Sequence, residues 1–527
     1  MINLAFRSFL VLALLFGILF GIGMGIFTYL DVAPVFAFIF AVVIIFLQYL
    51  LGPYILDWIY RIRWKTPDTM PEHLREFITA VMAEHNIPFP RFGIIDDGNP
   101  NAFTYGHYPG NARLVITRGL MEILNEDELH SVIGHEIGHI KHWDFVIMTV
   151  AAIVPLLLYI LARTLLYTRG GGRSRGAAVL IGVISFIAYM VSQYIVLFLS
   201  RIREYYADQF SGRLTGDPNL LSSSLVKIAY GLARAPEDRE KKDETLAIAG
   251  RSFGIFDPKS AGALALNSSL SGGFSTENME AAMKWDMWNP WAIFMEMSSS
   301  HPLPAKRIMA LEKQAKIQGK QPLYGFIEER RPESYWDEFL VDLFFKYLPL
   351  LGFISGLVFS LTSHKYFGIS LVFLGITYWI KLAFAYPRKN FPGANITDLL
   401  ARVKVSGIRS FPVTLNGEVI GRGIPGLMWS KDLVLQDETG FIPVIYRQPL
   451  GILELIFGLF KAPELIGEEI TVSGWYRRTL NPYLEIKEVI KKSGERIKCH
   501  FLSFQLFLAG LSTAIGILWL ILEIGGH

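Results

Sequence analysis

The chain has 527 residues and a formal net charge of +3, with 52% hydrophobic residues, 18% charged residues and a mean hydropathy of +0.36. This composition is too apolar for an ordinary soluble enzyme, and the small net charge does not indicate a nucleic-acid-binding protein. The single cysteine, Cys499, excludes an intramolecular disulfide and a cysteine zinc cluster.

Seven apolar stretches are long enough to cross a lipid bilayer, which takes roughly 20 apolar residues. In chain order these stretches are Ser8–Leu30, Val32–Leu56, Phe145–Ala162, Gly176–Ser200, Tyr347–Ser363, Tyr366–Ile380 and Phe501–Leu522. Because the first is too long for a signal peptide and lacks a small-residue cleavage site, we interpret it as an anchor. Basic residues at 61–65 predict that the second stretch ends in the cytoplasm, whereas arginines at 169–175 leave open whether the third and fourth stretches cross fully.

The residues from about Thr66 to Asp144 have the pattern of a soluble α+β unit. Pro71–His85 is periodic like a helix, and Phe92–Ile95 and Leu114–Thr117 are typical of short strands. Between these two strands, the segment Asn99–Gly106 is either an edge strand, which could bind an extended peptide, or a surface hairpin.

A possible metal-binding motif, Gly134-His135-Glu136-Ile137-Gly138-His139, follows in a predicted helix. On a helix His135 and His139 lie one turn apart on the same face, so both imidazoles can reach one metal ion. Glu136 is then placed to act as a general base, as in H-E-x-x-H zinc peptidases. Asn125, followed by three acidic residues, is a helix start signal. The alternative is a buried amphipathic helix whose histidines are satisfied core residues.

Two later segments carry side chains that could complete such a site. Glu204 and Asp208 are four residues apart and therefore share a helix face. Glu204 could be a third ligand and Asp208 could orient a ligating histidine; the alternative is a solvated charged face. His301 and Arg307 could stabilise an oxyanion, although His301 alone is more simply a loop histidine. Between the two segments, Met279–Met297 is either a membrane-surface segment or a plain packing segment.

The region Thr397–Lys491 differs from the rest of the chain. Turn signals such as Asn416-Gly417 and Glu438-Thr439-Gly440 separate short alternating runs, which predicts five or six strands in a small closed barrel of the OB type. An apolar run between two of the predicted strands, Leu450–Phe460, could lie on the membrane. The predicted runs are Arg402–Ile408, Glu418–Arg422, Leu433–Gln436, Phe441–Tyr446, Glu469–Tyr476 and Leu484–Val489.

Taken together, the motifs resemble those of the HtpX-like membrane zinc metallopeptidases, relatives of the CAAX prenyl proteases. The resemblance covers roughly residues 1–315, and four motifs occur in family order around one pair of apolar stretches. The later residues depart from the short family members. The four motifs are Asn101-Ala102-Phe103 with Gly106, His135-Glu136-Ile137-Gly138-His139 extended to Asp144, Ser200–Asp208, and His301-Pro302 with Arg307.

The resemblance implies one Zn²⁺ per chain, held by His135, His139 and Glu204, with Glu136 as general base and then general acid. It also implies endoproteolysis of membrane proteins, often misfolded ones, on the cytoplasmic side. The further residues that it implies are Asp208 and Asp144 around the metal ligands, His301 and Arg307 for the transition state or the architecture of the site, and Asn101, Ala102 and Phe103 for the substrate backbone.

We therefore expect a polytopic α-helical membrane protein with a cytosolic α+β zincin (gluzincin) catalytic domain and a small all-β, OB-like barrel domain. The expected role is membrane protein quality control in a prokaryotic plasma membrane, with membrane-protein or unfolded polypeptide substrates, the lipid bilayer as a partner and no nucleic acid. The barrel could recruit substrate or a partner, or gate access.

The predicted domain boundaries follow the apolar stretches. The transmembrane parts are residues 1–65, 145–200, 339–390 and 499–527, where the first three are hairpins and the fourth is a single helix. The two halves of the peptidase domain are residues 66–144 and 201–338, and the barrel is residues 391–498.

Other functions are compatible with parts of this pattern. A prenyl-protein processing protease is a close variant, which cleavage of a prenylated peptide would favour. A non-catalytic membrane scaffold or receptor with a structural metal site is a second alternative, but such a site needs no base at position 136 and is usually closed by a fourth protein ligand. A transport function is less consistent with the sequence, because the apolar stretches contain few ionisable residues of the kind that line an ion pathway.

Overall fold

The computed structural model of the chain describes residues 34–525 except 61, 168–172, 231–275, 325–332, 362, 389, 426 and 428. The first predicted span, Ser8–Leu30, lies outside the described residues. The chain divides into two compact units. Unit 1 comprises Met1–Leu225, Ile248–Phe253 and Phe294–Gly325, and unit 2 comprises Val226–Ala247, Gly254–Ile293 and Phe326–His527.

The described part of unit 1 begins with a long apolar helix, which an α+β region follows. The first four helices are α1 (Pro34–Ile59), α2 (Glu72–Glu84), α3 (Arg118–Ile123) and α4 (Glu126–Lys141). The strands are β1 (Arg63–Lys65), β2 (Arg91–Ile95), β3 (Ala102–Tyr105) and β4 (Arg113–Thr117). In α2, Leu74, Ile78 and Val81 recur at helical spacing and are buried. The predicted helix and the two predicted strands of this region are confirmed.

The four strands form one sheet in the order β1-β2-β4-β3. The central strands β2 and β4 are parallel, while β1 and β3 lie antiparallel to their neighbours. Strand β3 is therefore an edge strand, and it is also joined to β4 as a hairpin, so both interpretations of Asn99–Gly106 apply. An edge strand leaves one row of backbone groups available to another chain.

After the motif helix, the described part of unit 1 contains an apolar pair of helices and two further helices. They are α5 (Asp144–Leu166), α6 (Arg173–Leu214), most of α7 (Pro218–Tyr230) and, later in the chain, α10 (Pro304–Ile317). The sequence predicts a span that ends at Ser200 and a separate helix around Glu204, whereas α6 is continuous over 42 residues. No glycine or proline interrupts the chain between Gly182 and Gly212, so nothing breaks the helix there.

Unit 2 contains three further apolar helices. Its helices begin with α8 (Thr276–Trp288) and the start of α9 (Pro290–Glu296), and continue with α11 (Trp336–Ser360), α12 (Phe367–Ala385), α13 (Ile396–Leu400) and, at the end of the chain, α16 (Phe501–Gly525). Among the described residues, five helices are long and apolar enough to cross a membrane, namely α5, α6, α11, α12 and α16. They coincide with five of the seven predicted spans, and the second predicted span forms α1.

The C-terminal strands of unit 2 form a closed ring. In the ring, β9 pairs with β7, then β6, β5 and β8 follow, and β8 pairs back with β9. The strands β7 and β9 are parallel. A small closed barrel is thus present, while its assignment to the OB type stays a prediction. The strands are β5 (Phe411–Arg422), β6 (Leu433–Asp437), β7 (Gly440–Ile445), β8 (Glu469–Arg477), β9 (Tyr483–Lys491) and β10 (Arg496–Lys498), and the short helices α14 (Gly451–Ile456) and α15 (Ala462–Leu465) lie between β7 and β8.

Two predictions for this region are wrong. Residues Arg402–Ile408 form turns rather than a strand, because the Val403 and Val405 carbonyls accept hydrogen bonds from side chains of α8 and its C-terminal end instead of from a neighbouring strand. The pair Asn416-Gly417 is not a turn but lies within β5, where both residues pair with β8. There the long ladder with β8 overrides the local turn preference.

The helix α8 is packed inside unit 2. The Trp285 side chain is fully buried and its indole N–H donates to the Val405 carbonyl (2.8 Å). The Arg478 guanidinium donates to the Ala282 carbonyl (2.7 Å). The Trp- and Met-rich stretch therefore contains a packing segment that belongs to unit 2, although the sequence assigns residues 201–338 to the peptidase domain.

Candidate metal centre

The helix that carries the motif, α4, is fixed at its N-terminus by a reciprocal cap. Glu128 N donates to Asn125 Oδ1 (2.9 Å), and Asn125 N donates to Glu128 Oε2 (3.0 Å). The Ser223 hydroxyl donates to the other carboxylate oxygen of Glu128 (2.6 Å) and thereby ties the cap to α7. The predicted start of this helix is confirmed. Its apolar face is buried at Leu129, Val132, Ile133, Ile137 and Ile140.

The helices α4 and α6 approach closely at the motif. A Cβ atom added to Gly138 would lie 3.1 Å from the Ala207 Cα, which is closer than most real contacts. The glycine between the two motif histidines therefore lets α6 lie against α4. This approach places Glu204 and Asp208, on either side of Ala207, next to the histidines.

Three donor groups meet where these helices touch. Among the described residues, the cluster that could hold a metal ion is His135, His139 and Glu204, whose ligand atoms all lie within 4.8 Å of one another. The two Nε2 atoms are 3.1 Å apart, His139 Nε2 is 3.5 Å from Glu204 Oε1, and His135 Nε2 is 3.7 Å from Glu204 Oε2. Tetrahedral zinc with bonds of about 2.0–2.1 Å separates its ligand atoms by about 3.3 Å. The residues present therefore fit a zinc ion.

The charge around the cluster also favours a cation. Burial by itself lowers the pKa of the His139 imidazole, but the hydrogen bond with Asp144 and the carboxylates of Glu204 and Glu136 outweigh it and raise this pKa to about 9. A site that favours a proton on a buried imidazole is one in which negative charge exceeds positive charge. A divalent metal ion would compensate the same negative charge.

His139 is oriented by a carboxylate from the next helix. Trp143 adopts a left-handed conformation (φ 58°, ψ 34°) between α4 and α5. In the next residue, Asp144 Oδ2 lies 2.5 Å from His139 Nδ1, which leaves Nε2 for a metal ion. The guanidinium of Arg203 donates to Asp144 Oδ1 and to the His142 carbonyl, so it holds the carboxylate in place. Arg203 was not among the predicted site residues.

His135 has a matching arrangement on the other side. Asp208 Oδ1 lies 2.9 Å from His135 Nδ1. The Arg307 guanidinium donates to both oxygens of Asp208, from Nε to Oδ2 (2.8 Å) and from Nη2 to Oδ1 (2.6 Å). A bidentate pair of this kind fixes the plane of the carboxylate. Both motif histidines thus have a carboxylate on the nitrogen that faces away from the cluster.

Replacing Asp208 with asparagine is expected to weaken zinc binding about 10- to 100-fold, because loss of an outer-shell carboxylate leaves the ligating histidine less basic and less well oriented. Competition with a chelator of known affinity measures the dissociation constant. Asp127→Asn is the matched control, since Asp127 is exposed in the first turn of the same metal-binding helix. Equal zinc affinity of the Asp208→Asn protein and the wild type would contradict the role of Asp208.

Glu136 lies beside the cluster and is positioned by the edge strand. Its side chain is mostly buried, and its Oε2 accepts a hydrogen bond from the Thr104 hydroxyl (3.0 Å). Sequence analysis did not select Thr104. The alternation of β3 was an available signal, because Ala102 and Thr104 lie on the same face of the strand.

The backbone of β3 presents a defined set of groups to its outer side. Thr117 N donates to the Asn101 carbonyl (2.9 Å), and hydrogen-bonded pairs alternate with non-bonded pairs in an antiparallel ladder. Asn101 and Phe103 therefore direct their backbone groups toward β4, whereas Ala102 and Thr104 direct theirs outward. The Phe103 side chain is buried against the rings of Tyr60 and Tyr105. Of the three residues predicted to bind substrate, Ala102 is the one with outward backbone groups.

Strand β3 is also fastened to the apolar helix α1. The Tyr105 hydroxyl donates to Asp57 Oδ1 (2.6 Å), and Arg113 of β4 donates to Asp57 Oδ2 (3.2 Å). Just after the strand, the His107 carbonyl accepts a hydrogen bond from the Tyr49 hydroxyl (2.6 Å). The sequence did not predict these contacts, because nothing near Asp57 indicates that its partners are Tyr105 and Arg113.

The two late residues reach the cluster from different places, His301 from the segment that leads into α10 and Arg307 from the first turn of α10 itself. His301 Nδ1 lies 2.9 Å from Glu204 Oε2, and a quarter of the His301 side chain is exposed. Arg307 Nη1 lies 3.4 Å from the same Glu204 oxygen. The structure therefore brings all the predicted catalytic, ligand and supporting residues around one point, with Arg307 engaged by two carboxylates.

Comparison with known proteins agrees with this geometry. A family model described as peptidase family M48 matches residues 70–315. A protein named protease HtpX homolog from Methanothermobacter thermautotrophicus is 37% identical over 238 residues, which cover 45% of this chain and 90% of that protein. The protease HtpX homolog of Thermoplasma acidophilum is 32% identical over 269 residues, which cover 50% of this chain and 81% of that protein.

The chain is also similar to solved structures. One of these is the crystal structure of Ste24p from S. mikatae, with 17% sequence identity and a TM-score of 0.35. The matched region covers 58% of this chain and 65% of the Ste24p chain.

Proposed function

The chain belongs to the HtpX-like members of peptidase family M48, and we propose that it is a zinc endopeptidase that hydrolyses peptide bonds of misfolded membrane proteins. As a member of this family it is a membrane metalloprotease, and several of its helices are apolar enough to cross a bilayer. The observation that carries the proposal is the convergence of His135, His139 and Glu204 with Glu136 beside them.

The number of donors supports catalysis over a structural role. Structural zinc sites are closed by four protein ligands, whereas catalytic sites have three and keep one position open. Here three protein donors cluster among the described residues. When bound, zinc supplies a Lewis acid that polarises a carbonyl and lowers the pKa of a water molecule.

Glu136 acts as the general base in this proposal. Its carboxylate accepts a proton from the attacking water and then donates it to the amine that leaves when the peptide bond breaks. Thr104 holds the carboxylate through one oxygen, so the other oxygen is available for the proton. The carboxylate is thus oriented before substrate arrives.

The substrate backbone binds along β3. The outward N–H and C=O groups of Ala102 and Thr104 pair with an extended segment of the substrate, which adds a strand to the edge of the sheet. Main-chain pairing of this kind requires an unfolded stretch of polypeptide but little sequence specificity. This supports unfolded rather than native proteins as substrates.

His301 and Arg307 differ in how directly they reach the reacting groups. The Arg307 guanidinium is occupied by Asp208 and lies near Glu204, so it acts as a positioning residue for the metal ligands. The His301 ring is partly exposed beside Glu204 and is placed to donate to the oxyanion of the transition state.

Replacing Thr104 with valine is expected to lower kcat about 10- to 100-fold with little change in KM, because a hydrogen bond to a charged group contributes about 1.5–3 kcal/mol. The backbone groups of β3 remain, so substrate pairing is kept. Steady-state cleavage of a fluorogenic peptide separates the two constants. Thr104→Ser restores the hydroxyl and is expected to recover the rate; an unchanged kcat in Thr104→Val would refute the positioning of Glu136.

The quality-control role is tested with one membrane protein in two states. The wild-type chain is reconstituted in liposomes with a folded membrane protein or with a variant of it destabilised in its core. Because cleavage of a transiently open state follows its population, the destabilised variant is expected to be cleaved at least about 10-fold faster. Equal cleavage rates for the folded protein and the destabilised variant would contradict the quality-control role but not the peptidase activity.

The location follows from the same proposal. The basic residues after α1 support a cytoplasmic peptidase and a cytoplasmic barrel, and relatives in archaea and bacteria support a prokaryotic plasma membrane. Protease accessibility in inside-out vesicles tests this orientation.

A further inference from the structure

We propose that the segment between β7 and β8, Leu450–Ile466, is inserted into the lipid headgroup and upper acyl region of the bilayer beside the C-terminal span. We call this segment the apolar insertion. It consists of α14, a π-helical turn (Phe457–Lys461) and α15. The inference concerns unit 2 alone and does not depend on the proposed function.

The apolar insertion exposes an unusual number of large apolar side chains. Between Leu450 and Phe460 the single charged residue is Glu454, and the Lys431 ammonium pairs with it. Isolated exposed apolar residues are common on soluble proteins, but a contiguous group marks an interaction site. The exposed side chains are Leu450, Ile452, Leu453, Leu455, Ile456, Leu459, Phe460 and Ile466.

This exposure does not come from a loose loop, since the other side of the insertion is packed. Phe457 stacks on Tyr446 with the ring centroids 3.7 Å apart. Gly458 approaches the chain so closely that an added Cβ would lie 2.5 Å from the Trp429 carbonyl oxygen. Ala462 and Leu465 are also buried. The apolar side chains are thus held outward on a fixed support.

The residues just before the apolar insertion are hydrogen-bonded to the residues just before α16. The Gln448 amide donates to the Lys498 carbonyl (2.9 Å), and His500 N donates to Gln448 Oε1 (3.3 Å). The Arg447 guanidinium lies 5.6 Å from the centre of the Phe501 ring, where α16 begins. Since α16 is long and apolar enough to cross a bilayer, we place its first turn at the bilayer surface, and the apolar insertion then leaves the barrel at that level.

The bilayer is therefore the occupant that fits this surface. An apolar segment that starts at the level of the headgroups can bury its side chains in the interface without leaving the barrel. Lys461 is exposed next to Phe460 and its ammonium lies 3.3 Å from the Glu464 carboxylate, so the end of the apolar insertion carries an ion pair that suits the polar headgroup region. A second copy of the chain would have to reach the same level and displace lipid from it.

The test uses the full-length chain in nanodiscs with one chain per disc. In a Cys499→Ser background, single cysteines replace Leu453, Phe460 or Lys492 and carry an environment-sensitive fluorophore. Lys492 is the control, because its side chain is 78% exposed in the turn between β9 and β10, away from the start of α16. Each variant is first checked for the elution volume and the unfolding temperature of the wild-type chain.

Phosphatidylcholine–phosphatidylglycerol discs with and without nitroxide-labelled acyl chains are compared. Nitroxide is expected to quench the labels at 453 and 460 several-fold and to leave the label at 492 unchanged. Equal, weak quenching at all three positions would overturn the proposal. A second set of discs holds two chains each, one labelled with a donor and the other with an acceptor at position 453 or 460. Energy transfer in these discs, together with no lipid quenching in the single-chain discs, would also overturn the proposal and identify a second copy as the occupant.

Discussion

Replacing Glu136 with glutamine is expected to lower the rate of peptide-bond cleavage by about 10²- to 10⁴-fold while zinc stays bound. General-base catalysis contributes about 10²–10⁴-fold, and glutamine cannot accept the proton of the attacking water. Glu136 does not belong to the donor cluster, so the metal ligands are unchanged. The measurement is kcat for a fluorogenic peptide together with zinc per chain by mass spectrometry.

Glu126→Gln is the matched control for this variant. It makes the same chemical change in the same helix, at an exposed position in the first turn. We expect wild-type activity from it, apart from a small loss of helix stability. Residual cleavage above a tenth of the wild-type rate in Glu136→Gln, with zinc present, would assign the proton transfer to another residue.

Replacing Glu204 with alanine is expected to raise the zinc dissociation constant more than about 100-fold and to abolish cleavage. Loss of an outer-shell carboxylate alone costs about 10- to 100-fold in metal affinity, and Glu204 is a proposed ligand. Its removal also leaves His301 and Arg307 without the buried carboxylate that faces them. Isothermal titration of the metal-free protein with zinc measures the affinity.

Tyr206→Phe is a control for changes in α6 itself. Tyr206 lies two residues further along the same helix and is 56% exposed. This variant is expected to bind zinc as the wild type does. Unchanged zinc affinity in Glu204→Ala would mean that the third ligand is another residue, and the site would have to be reassigned.

The sequence predicts those parts of the site that depend on spacing within one helix. The pair His135 and His139 follows from a four-residue separation, and the cap at Asn125 follows from local residue preferences. For Asn99–Gly106 the sequence leaves two interpretations, an edge strand or a surface hairpin, because the run is short and contains turn residues. The five apolar helices follow from length and hydropathy alone.

The contacts between distant segments could not be predicted in the same way. Nothing in the sequence near Asp144 indicates that Arg203 will hold it, since the two are 59 residues apart and both are charged residues next to apolar stretches. The Thr104 hydroxyl likewise becomes relevant only when β3 lies beside α4. The turn predicted at Asn416 is wrong for a related reason. Pairing of β5 with β8, a strand distant in the sequence, outweighs the local preference of Asn416-Gly417 for a turn.

The dependence of cleavage on zinc tests the central claim most directly. Purified wild-type chain is assayed with an unfolded protein such as casein before chelation, after chelation and after zinc is added back, and zinc per chain is measured each time. We predict one zinc per chain, cleavage that disappears with the metal, and full recovery at one equivalent. Cleavage that persists without zinc would contradict the account, as would one bound zinc with no cleavage of casein or of membrane proteins.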